Sequence, residues 1–240
     1  MIRLNPHCPD SGLTMKIIEL ESVNSTNEYC KEHAADGDFI VIAKRQSAGK
    51  GTKGRSFSSD EGGLYISVSR SYEDFNAADA FKIMINTCVA VCKTLENFGI
   101  TPTIRWANDV LVNGKKICGT LIENTFCGNK ITRSIVGCGI NVNNELPEDL
   151  KPIATTMKEC AGRVFDISNV KKQFIRNLKK QYTVEDYKSY INWLGSEVTL
   201  KDGLEETRVT AVDILPDGRL KVNKCGNMLE ISAGELSLRL

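Results

Sequence analysis

The sequence predicts an α+β protein: a mixed, mostly antiparallel sheet flanked by helices and followed by a small C-terminal β-barrel. Residues Thr103 to Val142 read as a strand–turn–strand meander, which favours antiparallel neighbours. In Ala77 to Phe98, residues Phe81, Ile85, Cys88, Val89, Cys92 and Leu95 recur three and four apart, the mark of a helix lying across a sheet. After Gly195 the texture changes to short β-type runs broken by Asp202-Gly203, Pro216-Asp217-Gly218 and Gly226-Asn227, the rhythm of a small barrel. The 240 residues therefore divide into an expected main domain, 1–194, and a smaller one, 195–240.

Residues 1–14 carry prolines and a glycine without periodicity and are expected to form an irregular arm. Lys16 to Glu21 alternates as a strand. Ser25 is a good helix cap, and Glu28 completes a capping-box pattern; Asp36-Gly37 ends that helix. Phe39 to Ala43 and Leu64 to Ser69 are the next strands, and Gly99 stops the long helix. Within the meander the strands are Thr103 to Trp106, Val110 to Val112, Ile117 to Phe126 and Lys130 to Val142. Asn113-Gly114 marks a hairpin, and Cys127-Gly128-Asn129 a turn. Helices are predicted over Ser168 to Gln181, capped by Ser168, and over Val184 to Trp193. The barrel strands are Glu197 to Leu200, Thr207 to Ile214, Leu220 to Asn223 and Met228 to Ser232.

Composition narrows the function. No apolar run approaches the roughly 20 residues of a membrane span, and Met1 to Asp10 lacks the apolar core of a signal peptide. With 31 basic and 30 acidic residues there is no general basic field for a nucleic acid, so any anion site must be local. Nine cysteines are scattered, odd in number and never spaced Cys-x-x-Cys, with only His7 and His33 beside them, so zinc is not expected. Free thiols in this number point to a reducing, cytoplasmic compartment.

The chemistry concentrates in Gln46 to Phe57. Gly49, Gly51 and Gly54 sit among Lys50, Lys53 and Arg55, with no acid until Asp60. Bendable backbone, exposed N–H groups and undiluted positive charge suit a polyphosphate or an acyl phosphate. Gly49-x-Gly51-x-x-Gly54 matches the dinucleotide fingerprint by letter, and Gly49 to Ser56 comes within one residue of a P-loop. Both need a helix to open at the glycines, and Ser-Phe-Ser-Ser-Asp-Glu-Gly-Gly cannot start one.

Other segments complete a pattern: Ser22-Val-Asn-Ser-Thr-Asn27, Arg105-Trp-Ala-Asn-Asp-Val110, Lys115-Lys-Ile-Cys-Gly-Thr-Leu121 and Gly137-Cys-Gly-Ile-Asn-Val142. In this order and at these separations, with the glycine loop, they resemble the biotin protein ligases, in the form without an N-terminal DNA-binding domain. That family carries S-T-N, G-R-G-R-x-G-R, K-W-P-N-D, K-x-x-G-I-L and G-x-G-x-N, and ends in an SH3-like barrel. The resemblance runs from about residue 16 to the C-terminus and implies a core of the class II aminoacyl-tRNA-synthetase type.

It also implies a two-step acyl transfer. The biotin carboxylate attacks the α-phosphate of ATP to give biotinyl-5′-adenylate and pyrophosphate; a lysine on a biotin carboxyl-carrier domain of a carboxylase then attacks the activated carbonyl. The implied catalytic residues are Lys116, Asp109 and Lys50. The implied biotin-binding residues are Ser25, Thr26, Asn27, Gln46, Lys50, Gly51, Thr52, Lys116 and Gly119. For ATP and the adenylate they are Gly49, Lys53, Gly54, Arg55, Phe57, Asn108 and Asn141. Asp109 and Asn108 suit Mg²⁺, which prefers hard oxygen ligands, and Asp109 could also orient the acceptor amine. Plainer readings stand beside these: a helix cap at Ser25, a turn at Asn108-Asp109, a strand-end cap at Asn141, core packing for Trp106.

Thr52, Phe57 and Ala107 depart from the family pattern, which has arginine, often tryptophan, and proline there. A lipoate or octanoate ligase of the same superfamily, and a non-catalytic binding module, are the competing readings. Fourteen irregular residues are too few for a helix-turn-helix, so DNA binding is not expected; exposed sheet edges permit a homodimer without requiring one. Loss of the arginine removes a cation from the adenylate phosphate. Free biotinyl-adenylate should therefore escape faster from this chain than from its Thr52→Arg variant in a single-turnover release assay; equal rates would refute this.

Overall fold

The structure, a computed structural model, describes residues 15–202, 205–232 and 237–239. The arm expected over residues 1–14 lies outside the described residues. Seven strands form the main sheet: β1 (Lys16–Val23), β2 (Phe39–Gln46), β3 (Leu64–Ser71), β4 (Thr103–Arg105), β5 (Asp109–Val112), β6 (Lys115–Cys127) and β7 (Lys130–Ile140). Their order is β1-β2-β3-β7-β6-β5-β4. Only β1 and β2 pair parallel; the other neighbours are antiparallel. The expected hairpin is present, with Asn113 at φ 50° and Gly114 at φ 76°, the left-handed pair that a two-residue I′ turn demands.

The apolar run of β2 is buried on both faces. Phe39 and Val41 pack with Cys30 of helix α1 (Thr26–Glu32), whereas Ile40 and Ile42 join the larger core under helix α2 (Phe81–Glu96). Strand alternation thus assigns α1 to one side of the sheet and α2 to the other. Short α3 (Met157–Ala161), α4 (Ile167–Leu178) and short α5 (Val184–Lys188) complete the helices. Fully buried residues of α2 such as Val89, Cys92 and Leu95 anchor the layer at about 1.5–3 kcal/mol for each large apolar side chain.

The C-terminal runs form a five-stranded antiparallel sheet, β8 (Glu197–Asp202), β9 (Glu205–Ile214), β10 (Leu220–Lys224), β11 (Asn227–Ile231) and β12 (Ser237–Arg239), in the order β11-β10-β9-β8-β12. Its buried Val198, Leu200, Val209 and Val222 belong to the same cluster as the core under α2. Trp106 reaches across, its indole N–H donating to Gly218 O at 2.8 Å; it is a core residue.

Local expectations are corrected in four places. Ser25 precedes α1 but makes no side-chain cap hydrogen bond. Asp166, not Ser168, caps α4 by accepting from the Ser168 N–H. The helix expected to reach Trp193 ends at Lys188. Helix α3, opened by a Thr156–Glu159 capping box, was not anticipated.

Gly218 has φ 89°, and a Cβ there would stand 2.3 Å from the Phe81 ring. Gly218→Ala combines backbone strain with overpacking and is expected to cost about 2–4 kcal/mol, read as a lowered urea midpoint with an unchanged m-value.

Candidate functional site

A strip of missing side chains on the α1 side of the sheet creates the site. Register pairs Tyr65 and Gly119 with Gly139, and Ser67 and Leu121 with Gly137, so these residues share one face. Ile66, Cys118, Cys138 and Ile140 alternate to the opposite face and join the core. Between α1 and this glycine floor lies a cleft. A Cβ on Gly137 would stand 2.2 Å from Asn27 Oδ1, and one on Gly139 2.6 Å from the Phe57 ring. Glycine is required at both.

At one end, Gln46 replaces the expected Ser25 cap. Its Oε1 accepts from the Thr26 backbone N–H at 2.8 Å and from the Thr26 hydroxyl at 3.1 Å, while Nε2 donates to Ser59 Oγ at 2.8 Å. The buried Ser67 hydroxyl lies 2.7 Å from Thr26 Oγ1 and 2.6 Å from Asn27 Oδ1. Side chains from β2 and β3 therefore hold the first turn of α1 against the sheet.

The basic loop folds as a small hairpin between β2 and β3. Gly51 N–H donates to Arg55 O at 2.7 Å, and Phe57 N–H to Gly49 O at 2.8 Å. A Cβ on Gly49 would lie 2.3 Å from that Phe57 carbonyl. Its cations already have partners in the chain. Lys50 Nζ ion-pairs with Glu28 at 2.7 Å; Arg55 folds back on Thr52, donating to its carbonyl at 3.2 Å and its hydroxyl at 3.0 Å. Hydrogen bonds from Lys50 and Lys31 hold the Glu28 carboxyl below the usual range against a small opposing effect of burial.

Lys116 occupies the other end. Its backbone is pinned on both sides, donating to Ile153 O and accepting from Thr155 N–H, each at 2.9 Å. Nζ lies 2.7 Å from Asp109 Oδ1 and 5.7 Å from the centroid of the Phe57 ring. Arg105 takes Oδ2 of the same carboxylate at 2.6 Å. Burial pushes the Asp109 pKa up, but the charges of Lys116 and Arg105 outweigh it and hold the carboxyl below an ordinary aspartate. A fixed ammonium beside a glycine floor, close to a loop of backbone donors and cations, is suited to stabilising negative charge on transferring oxygens.

Residues 19–141 match the model of the biotin/lipoate A/B protein ligase family. The chain belongs to this family. One curated relative, the bifunctional ligase/repressor BirA of Bacillus subtilis, is 33% identical over 177 residues, 71% of this chain and 53% of its own length. The biotin–[acetyl-CoA-carboxylase] ligase of Mycobacterium tuberculosis is 25% identical over 232 residues, 88% of this chain and 85% of its own. The biotin protein ligase of Aquifex aeolicus, solved in complex with biotin and ATP, has a TM-score of 0.75 at 32% identity, covering 93% of this chain and 98% of that one. The chain spans about half the length of the Bacillus relatives.

Within this ligase-family chain, Ser25, Thr26, Asn27, Gln46, Lys50, Gly51 and Thr52 line the cleft, together with Phe57, Asn108, Lys116 and Gly119. Gly49, Lys53, Gly54 and Arg55 lie in the loop outside that lining, and Asp109 stands behind Lys116. Asn141 is elsewhere: its buried amide donates to Thr155 O at 3.2 Å and accepts from Asn144 at 3.3 Å. Thr120, Leu121, Gly137, Cys138 and Gly139 also line the cleft without having been assigned to it; alternating glycines in a predicted strand are the signal that marks the last group. The Trp106–Ala107 peptide, where the family pattern has proline, is cis.

Asp109 is the carboxylate expected to serve Mg²⁺; its oxygens lie 2.7 Å from Lys116 Nζ and 2.6 Å from Arg105, so a metal there would displace one of these cations.

The Asp109 cluster has a pH signature. Because the folded pKa is depressed, its stabilisation is complete above the unfolded value of about 3.9 and is lost as pH falls through the lower folded value. Asp109→Asn is expected to cost about 3 kcal/mol at neutral pH by leaving two cations unpaired, a cost that shrinks as pH falls through the depressed folded value, in urea titrations across pH.

Proposed function

We propose that the chain is an ATP-dependent biotin protein ligase that biotinylates a lysine on a biotin carboxyl-carrier domain. The observation that carries the proposal is the placement of Lys116 Nζ at the end of a narrow cleft whose other end is rich in hydrogen-bond acceptors and whose side is closed by the glycine loop. A ring with N–H donors fits the acceptor end, and the carboxylate of its side chain points toward Lys116.

In the first step a biotin carboxylate oxygen bonds to the α-phosphorus of ATP and pyrophosphate leaves. Lys116 stabilises the carboxylate and the phosphoryl oxygens; Lys50, Lys53 and Arg55 with the backbone of Gly49, Gly51 and Gly54 hold the phosphates, and Phe57 covers the adenylate and excludes water. In the second step the acceptor amine bonds to the carbonyl carbon, the C–O bond to AMP breaks, and the amine gives up a proton. Asp109 holds Lys116 in place, its Oδ1 2.7 Å from Nζ. Mg²⁺ would neutralise charge on the ATP phosphates, with the Asn108 and Asp109 oxygens as its candidate ligands in the chain. Asn108 borders the adenylate region, and Asn141 supports the adjoining loop.

On the same reading, 1–194 is the catalytic domain and 195–240 a C-terminal domain of SH3-like type, in a protein that works in the reducing cytoplasm. Lipoate is the competing substrate of the family, but its dithiolane brings no N–H donor to Gln46, Thr26 and Asn27.

Labelled pyrophosphate should exchange into ATP with biotin and not with lipoate; exchange with lipoate alone overturns the assignment. Lys116→Ala is expected to lower the rate by about 10²–10³. Undiminished labelling of a carrier domain by that variant would remove Lys116 from the mechanism.

A further inference from the structure

Glu123 stands on β6 just beyond the cleft lining, and the chemistry above does not use it. Its Oε2 accepts from Asn27 Nδ2 at 2.8 Å, and its Oε1 pairs with Lys31 Nζ at 2.7 Å. A carboxylate accepts and cannot donate, so it decides which end of the Asn27 amide faces it. The Leu121 carbonyl, 3.4 Å from Nδ2, favours the same orientation. Asn27 is buried, 3% exposed, and a flipped amide would set oxygen against oxygen away from water. Oδ1 is accordingly turned toward Ser67 and Gly137.

Two acceptors at this end of the cleft then depend on one hydroxyl hydrogen. Gln46 Oε1 already receives both the N–H and the hydroxyl of Thr26. One hydroxyl hydrogen of Ser67 is shared between Thr26 Oγ1 and Asn27 Oδ1. A ligand that brings N–H groups supplies what is missing.

On the biotin reading above, we propose that Glu123 is a positioning residue for ligand recognition: by holding Nδ2 of Asn27 it presents Oδ1 to the cleft and selects a ring bearing N–H donors, as a cyclic urea does. Lys31 extends the hold. It bridges Glu123 to Glu28, which in turn holds Lys50, so one chain of polar contacts runs from the recognition amide to the glycine loop.

The test measures biotin and ATP affinity by calorimetry, and the melting temperature, for the full chain and two variants. Glu123→Ala, which releases the Asn27 amide from its set orientation, is expected to weaken biotin about tenfold or more, the worth of one well-set hydrogen bond, with ATP affinity within about twofold and melting lowered by a few degrees at most. Glu123→Gln, whose amide oxygen still accepts from Nδ2, should recover most of the biotin affinity. Wild-type biotin binding by Glu123→Ala, no rescue by glutamine, or a parallel loss of biotin affinity, ATP affinity and melting temperature each overturns the assignment. If the unmodified chain itself binds no biotin, the biotin reading fails with it; if it binds biotin and Glu123→Ala does too, only the role of Glu123 fails.

Discussion

Close approach governs this molecule. Helix α1 and Phe57 can lie against the sheet only because Gly119, Gly137 and Gly139 put no side chains between them, and the would-be Cβ distances of 2.2 and 2.6 Å at Gly137 and Gly139 leave no room for alanine. The same strands carry Ile66, Cys118, Cys138 and Ile140 on the other side, so one set of backbone pairings makes a packed core on one face and a vacant strip on the other. Core and cleft are two consequences of a single register, and a one-residue slip would exchange them.

The cations around the cleft differ in how firmly they are held. Lys50 pairs with Glu28 where both side chains are substantially exposed, 48% and 31%, and such pairs contribute about 0–1 kcal/mol. Lys116 shares an Asp109 that is only 13% exposed and also bound by Arg105, and its backbone is fixed on both sides. A competing anion can take Lys50 from its partner at small cost, whereas Lys116 stays where the fold puts it. The cleft thus carries one exchangeable charge and one stationary one.

Much of the fold was legible because its signals are local. The period of α2, the alternation of β3, and Asn113-Gly114 at the hairpin each depend on neighbours within a few residues. The strand–loop–strand context of the glycine loop was legible for the same reason. Readings failed where a distant group changed the outcome. Ser25 has the right type and place for a cap, yet Gln46, twenty residues beyond Thr26, takes the Thr26 N–H. Gly137 and Gly139 could be read as motif letters, but their task follows from pairing with Ser67 and Tyr65.

The Gln46 contact also bears on the order in which the chain becomes structured. Seven residues of α1 are too few to hold a helix in water, and the acceptor that completes its first turn arrives only at the end of β2. That strand pairs parallel to β1, a non-local arrangement whose loop entropy must be overcome before any contact rewards it. The Thr26–Gln46 end of the cleft therefore condenses with the β1–α1–β2 crossover as one event, and fraying of that crossover in the native state would open this end while leaving the pairing of the meander strands intact.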